Sequence, residues 1–464
     1  MISNYVRTTA AVAVAVAAAF LTACSSLGDL STPLSLNCAD ASYAEDSGTL
    51  PDGTPWGMRK PAKWNGVLIS DLDYVLGKDS ERSCALLNRG YALSGLNRHP
   101  RRAFLWDPAK EIANLLAVMD MFEQKHGRPR RTVEFGTSGG GLDALLMSEL
   151  HADRIQGAVA TCAHEGLPMW NVQLDGWFIL QQLIAPHLPI AGYRDLNAVD
   201  EAVARWKTAL TDAQATPVGR ARIALAVAAG QWSAWTTASK AIPNHKDVNA
   251  LQQAMFDTVL NQANQPGGQS RFMAEHAGEF PVPRQLSWNH TVDYEQFFAN
   301  ADPDYAAVAR ESYRQAGRDM AADFALLKAA PRVQPSPEAI SFWNGNPRRV
   351  VNGTPKVPVM RIHETGDNIA PPVQVTGYAQ KMRANNGDAS LYRVAIVQSG
   401  GHCLFSPSES VAAVETLMRR LDTGVWPETS PQALNTLGNR LIPQRPARFV
   451  DERLPTSNRA ANRP

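Results

Sequence analysis

The stretch Thr132-Val133-Glu134-Phe135-Gly136-Thr137-Ser138-Gly139-Gly140-Gly141-Leu142-Asp143-Ala144-Leu145-Leu146 decides the fold. Thr132 to Phe135 is a short β-branched and aromatic run, the pattern of a buried strand. Leu142 to Leu150 is mostly apolar and reads as a buried helix. Between them Gly136-x-Ser138-x-Gly140 leaves room only for a very sharp strand-to-helix turn with a serine at its apex. The flanking glycines admit a strained backbone and close approach of neighbouring elements. The helix N-terminus aims backbone N–H groups at charge developing beside that serine. The competing reading is an ordinary glycine-rich turn.

Outward from this turn the chain alternates strand and helix. Val67-Leu68-Ile69 and Tyr91 to Leu96 are strand candidates. Ile112, Leu115, Leu116, Met119 and Phe122 recur at helical spacing, and Gly127 stops that helix. Gly157 to Thr161 is the next strand. Such alternation marks βαβ units and a mostly parallel sheet. From 166 to 350 the runs turn helical, for example Asp195 to Leu210 and Tyr305 to Leu327, and seven of the 11 Trp lie here. Strands return at Val357 to Ile362 and Leu391 to Val397. The reading is a sheet domain in two pieces, 56–165 and 351–440, interrupted by a helical cap, 166–350, with an extended or frayed tail, 441–464.

The N-terminus reads as an address. Arg7 precedes an apolar run from Ala10 to Leu21, twelve residues where a bilayer span needs about 20. Leu21-Thr22-Ala23-Cys24 looks like a bacterial lipobox, which predicts removal of 1–23, lipid on Cys24 and an export route. Ser25 after the Cys favours the outer membrane in a Gram-negative cell. A plain signal peptide is the alternative. Residues 24–55 read as a linker. Lys+Arg at 45 against Asp+Glu at 44 gives a net charge of +1 and no electrostatic case for nucleic acid. Four cysteines remain beyond Cys24, none at metal-ligand spacing, so no metal site is expected.

Elimination places the partners of Ser138. Only one of ten His lies beyond residue 363, His402, in a turn after the last strand. In a Ser–acid–His order the acid falls between the two late strands. Asp367, just past a strand end, is the first choice and Glu364 the reserve. Loop and turn roles are the plain alternatives for His402 and Asp367.

With these residues the sequence resembles the serine α/β-hydrolase superfamily over about 60–430. Pro61-Ala62-Lys63-Trp64-Asn65-Gly66, Gly136-Thr137-Ser138-Gly139-Gly140, Met169-Trp170-Asn171, Ser287-Trp288-Asn289 and Gly401-His402-Cys403 are similar to exported bacterial hydrolases of this kind. The late Asp and Gly-His-Cys also resemble tannases and feruloyl esterases. Thr137 stands where those families carry a Cys, so their substrate is not carried over. The resemblance implies an α/β-hydrolase fold with a cap and a Ser138–His402–Asp367 triad using no cofactor. The Gly139 N–H is one oxyanion donor. Many relatives have His-Gly after the first central strand; Ser70-Asp71-Leu72-Asp73 here leaves the second donor to the backbone near Asp71 or Leu72.

Asp71 and Asp73 either bind a polar substrate group or cap a turn. Trp170 and Trp177, seven residues apart at the start of the cap, either line a pocket or pack a helical core. Cys162, at the C-terminal end of the strand after the Ser138 helix, and Cys403, beside His402, face one crevice, which predicts a disulfide. The competing reading is two buried thiols, and Cys38 with Cys84 is a compatible second pair. The functional expectation is a lipid-anchored serine hydrolase of small-molecule carboxylic esters. An amidase or peptidase with the same triad is the first alternative, and an inactive surface-anchored binding protein the second.

Overall fold

The computed structural model describes residues 30–98, 107–193, 195–262 and 285–460. Cys24 and the segment 1–23 lie outside them. Among the described residues nine strands form one sheet: β1 (Tyr43–Thr49), β2 (Pro55–Pro61), β3 (Val67–Asp71), β4 (Ala92–Leu96), β5 (Arg131–Thr137), β6 (Gly157–Thr161), β7 (Val359–Gly366), β8 (Tyr392–Gly400) and β9 (Phe449–Val450). Their order is β1-β2-β4-β3-β5-β6-β7-β8-β9. The block from β4 to β8 is parallel, and β1, β2 and β9 add antiparallel edges.

The period of two in each strand sorts its side chains between two cores. Val67, Ile69, Val133, Phe135 and Val159 face helices Glu81–Asn88, Pro407–Thr423 and Pro431–Leu441. Leu68, Ala158 and Ala160 face helices Pro108–His126, Gly139–Leu150 and Val373–Ala384. Strands β3, β4 and β6 are buried at every position, which explains why apolar and small residues fill them, with Ser70, Asp71, Ser94 and Thr161 the polar exceptions.

Between β6 and β7 the described elements are helical, from Leu167–Leu183 to Pro337–Asn344. Asp195, Thr216, Asp293, Asp302 and Asp319 cap helix starts there by accepting backbone N–H bonds. These helices close around their own core, with Trp177, Trp206 and Trp232 at its centre. Among the described residues no helix is long and apolar enough to cross a membrane.

Two expectations are corrected. Residues 24–55 are not simply a linker: Tyr43–Thr49 is an edge strand, and Cys38 is disulfide-bonded to Cys84. An edge strand exposed on both faces has no need of alternating apolar residues. Glu45 is held instead by Arg59 and Lys78. Nor is 441–464 a frayed tail within its described part. Val450 and Phe449 pair with β8, and Arg459 is buried in a bidentate ion pair with Asp175, both bonds 2.7 Å.

Candidate active site

Ser138 sits at the C-terminal edge of β5 with φ 58° and ψ −113°, and helix Gly139–Leu150 starts at the next residue. The turn is sharp enough to exclude side chains on its inner surface. A Cβ on Gly136 would stand 1.8 Å from the Gly140 carbonyl oxygen, and one on Gly141 2.7 Å from Cβ of Ala163. The glycines therefore answer to sterics, and the serine is left at the helix N-terminus. The first N–H groups of that helix have no acceptor within it.

The loop after β8 brings His402 to the same edge. Its Nε2 is 2.8 Å from Ser138 Oγ, and its Nδ1 is 2.7 Å from Asp367 Oδ2. Asp367 is wholly buried, and its other oxygen, Oδ1, accepts the backbone N–H groups of Ile369 and Ala370, each at 2.8 Å. Those two bonds lock the carboxylate's rotation. Behind it, burial holds His363 neutral, with a pKa lowered to about 4, and its Nε2 lies 2.8 Å from the Ala370 carbonyl.

Glu364 is equally buried but makes no hydrogen bond to His402 among the described residues. Its Oε1 accepts the Leu404 N–H at 2.5 Å, so it braces the histidine loop. Burial, and then the nearby Asp367, push its pKa up to about 9.

Cys162 and Cys403 are disulfide-bonded, with Cα atoms 5.4 Å apart. Cys162 (φ 43°), Cys403 (φ 59°) and Ser138 are three of the five described non-glycine residues with positive φ. Such conformations cost about 1–3 kcal/mol each and persist only where the surroundings enforce them. Sγ of Cys162 and Cys403 and a His402 nitrogen are close enough to suggest a metal, but both sulfurs are spent in the bridge.

On the other side of the turn, Leu72 packs over the start of the Ser138 helix: a Cβ on Gly140 would lie 3.1 Å from Cβ of Leu72. The acids flanking Leu72 are engaged. Asp71 accepts the Asp73 N–H at 2.9 Å and pairs with Arg82 at 2.5 Å. Asp73 takes two bonds from Arg98, 2.9 and 3.0 Å. Both stiffen the turn that carries Leu72. Asp73 also lines a groove of about 540 Å3 with Thr137, Thr161, Arg82 and Cys403, chain neighbours of the Ser138–His402 pair among them.

The two tryptophans proposed for a pocket pack instead. Trp177 is fully buried against Trp206 and Trp232, ring centroids 5.1 and 6.0 Å away. Trp170 is buried edge-on against Trp343 at 5.6 Å. Helical spacing marks an inward face but does not distinguish a packed core from a ligand cavity. Arg98 was absent from the sequence reading. Its one available signal was position: two residues beyond β4, at the edge of the sheet where the crevice opens.

A parallel block in this order, with a serine at the strand-to-helix turn of its middle strand, defines the α/β-hydrolase superfamily, and the chain is a hydrolase of that superfamily. It is 40% identical over 430 residues to the o-phthalyl amidase of Xanthobacter agilis, covering 88% of this chain and 94% of that protein, and it belongs to the same family. No protein-family model matches the sequence. Among solved structures it is similar to feruloyl esterase B from Aspergillus oryzae, at 14% identity and TM-score 0.36, covering 85% of this chain and 86% of that one. It is also similar to Candida antarctica lipase A, at 13% identity and TM-score 0.40, covering 88% of each chain.

Proposed function

We propose that the chain is a serine acyl hydrolase that opens carboxylic amides and the corresponding esters through an acyl-enzyme. The observation that carries this reading is the continuous chain Ser138–His402–Asp367, with bonds of 2.8 and 2.7 Å. Ser138 Oγ attacks the carbonyl carbon while His402 Nε2 takes its proton. The resulting oxyanion is met by the Gly139 N–H and by backbone of the turn at Leu72. His402 then gives its proton to the leaving nitrogen or oxygen, and Asp367 stabilises the imidazolium in between. Water, deprotonated by His402, attacks the acyl-serine and releases the acid. No step in this scheme calls on a metal or organic cofactor.

The amide is placed first because of the relationship to an o-phthalyl amidase. Esters follow because an alcohol leaves more readily than an amine, so a triad able to open an amide opens the matching ester. The lipobox at Cys24 supports an exported, lipid-anchored protein, and two disulfides fit an oxidising compartment. Intact mass of detergent-extracted protein checks this: an acylated chain beginning at Cys24 is expected, and a chain keeping 1–23 refutes it.

The catalytic reading is tested with a fluorophosphonate probe and a panel of matched aromatic amides and esters. Labelling at Ser138 is expected, together with a loss of at least about a thousandfold in turnover on Ser138→Ala. Folded protein that takes no label and turns over nothing is the inactive binding protein.

A further inference from the structure

Beside the nucleophile lies a cation that the mechanism above does not use. Arg98 follows β4, and its guanidinium lies across the first residue of the Ser138 helix. A Cβ on Gly139 would stand 3.1 Å from Arg98 Nη1 and 3.2 Å from Nη2. The Gly139 N–H is the donor expected to meet the oxyanion, so the positive charge sits against the backbone where the reacting carbonyl docks.

The guanidinium is held but not used up. Asp73 takes Nε and Nη2, which fixes the plane of the group. Nη1 has no hydrogen-bond partner among the described residues, and the side chain keeps 20% of its surface open. Two further acids, Glu111 and Asp143, lie near enough to feel this charge. Burial raises both, Glu111 to about 8 and Asp143 well above the usual carboxylate range, which favours their neutral forms. Asp73 is the carboxylate hydrogen-bonded to the guanidinium, and the edge carrying Nη1 lies beside Gly139 with its donors available. A guanidinium has five N–H donors in a rigid plane, enough for a carboxylate on each of two edges.

We propose that Arg98 binds a carboxylate carried by the acyl group of the substrate, next to the carbonyl that Ser138 attacks. This assigns a residue to the specificity that the relationship to an o-phthalyl amidase suggests, for an amide or ester of a dicarboxylic acid with one carboxylate left free on a neighbouring carbon. This rests on the triad reading, since it places the anion relative to the attacked carbonyl. Arg98 is a specificity residue: it contributes to binding of the anionic acyl group and leaves the bond-breaking steps to the triad.

The probes are the 4-nitroanilides of phthalic acid (monoamide) and of benzoic acid, which differ by one carboxylate. The wild type is expected to favour the phthalic compound. Arg98→Gln should lose about 10- to 100-fold in kcat/KM on it, the scale of one charge-assisted hydrogen-bond pair, mainly through KM. On the benzoic compound, where only the bracing of the Leu72 turn through Asp73 is lost, the same variant should lose at least about tenfold less, and Arg98→Lys should recover part of the phthalic loss. Equal losses on both probes would make Arg98 a brace for the turn at Leu72, and overturn the proposal. A second arm needs no turnover: calorimetric binding of phthalate to Ser138→Ala should weaken about 10- to 100-fold when Arg98→Gln is added. Unchanged phthalate binding overturns the proposal too. A wild type that fails to label with fluorophosphonate yet binds phthalate through Arg98 sinks the triad reading and leaves the anion subsite standing.

Discussion

Replacing Asp367 with Asn tests the site more sharply than removing the serine, because the structure dictates how the new side chain must lie. Oδ1 of Asp367 accepts two backbone N–H groups, from Ile369 and Ala370. In Asp367→Asn the carbonyl oxygen has to keep that place, since an NH2 there would face two buried donors. The NH2 then points at His402 Nδ1 and donates to it. The imidazole proton moves to Nε2, the atom that must accept from Ser138. The base is therefore blocked with the geometry intact, a fault that costs about 10^4-fold in kcat where a buried Asp orients a catalytic His, or about 5.5 kcal/mol of barrier. Glu364→Gln leaves an oxygen for the Leu404 N–H and keeps turnover within about fivefold. Steady-state turnover of the best anilide, with circular dichroism as the folding control, measures both. A folded Asp367→Asn with more than about a tenth of wild-type activity refutes the tautomer argument. If Glu364→Gln is the more damaging change, the orienting acid has been misassigned.

Three further outcomes follow from the same geometry. Gly136→Ala drives a Cβ into the Gly140 carbonyl and should cost about 3 kcal/mol or more, read from a urea midpoint; wild-type stability would refute it. Cys403→Ser should lose about 2–5 kcal/mol of stability and about tenfold in kcat while Ser138 still labels, because the bridge closes a long loop and tethers His402. Glu364, with its folded pKa raised to about 9 from an ordinary 4.5, keeps a proton that the unfolded chain gives up. Stability contributed there is full below about pH 4.5 and falls as pH rises toward 9. Urea midpoints of Glu364→Gln should match the wild type at pH 4.5 and exceed it at pH 8, and parallel pH profiles would contradict this.

The parts legible in the sequence are those decided locally. Strand, glycine turn and apolar helix around Ser138 are contiguous, and His402 and Asp367 follow from chain order once the serine is placed. What escaped was decided by partners far along the chain. Tyr43–Thr49 looks like a linker because an edge strand carries its specificity in backbone pairing and in ion pairs such as Glu45 with Arg59. Arg459 reads as a solvated tail residue until Asp175, 284 positions away, is seen beside it. Trp177 shows that helical spacing reports an inward face without reporting what fills it. Arg98 has no motif at all; its significance comes from Gly139 lying beneath it.

The bond between Cys162 and Cys403 has a topological consequence. One end leaves the sheet with β6, the other returns after β8, and every described helix of the insertion lies on the chain between them. The insertion is thus part of a covalent ring. A protease that cuts one exposed connection among those helices opens the ring but releases nothing: β1 to β6 stay bonded to the segment that carries His402. Nicked protein should run as one species without reductant and as two with it, and the serine and histidine should remain partners across a broken chain.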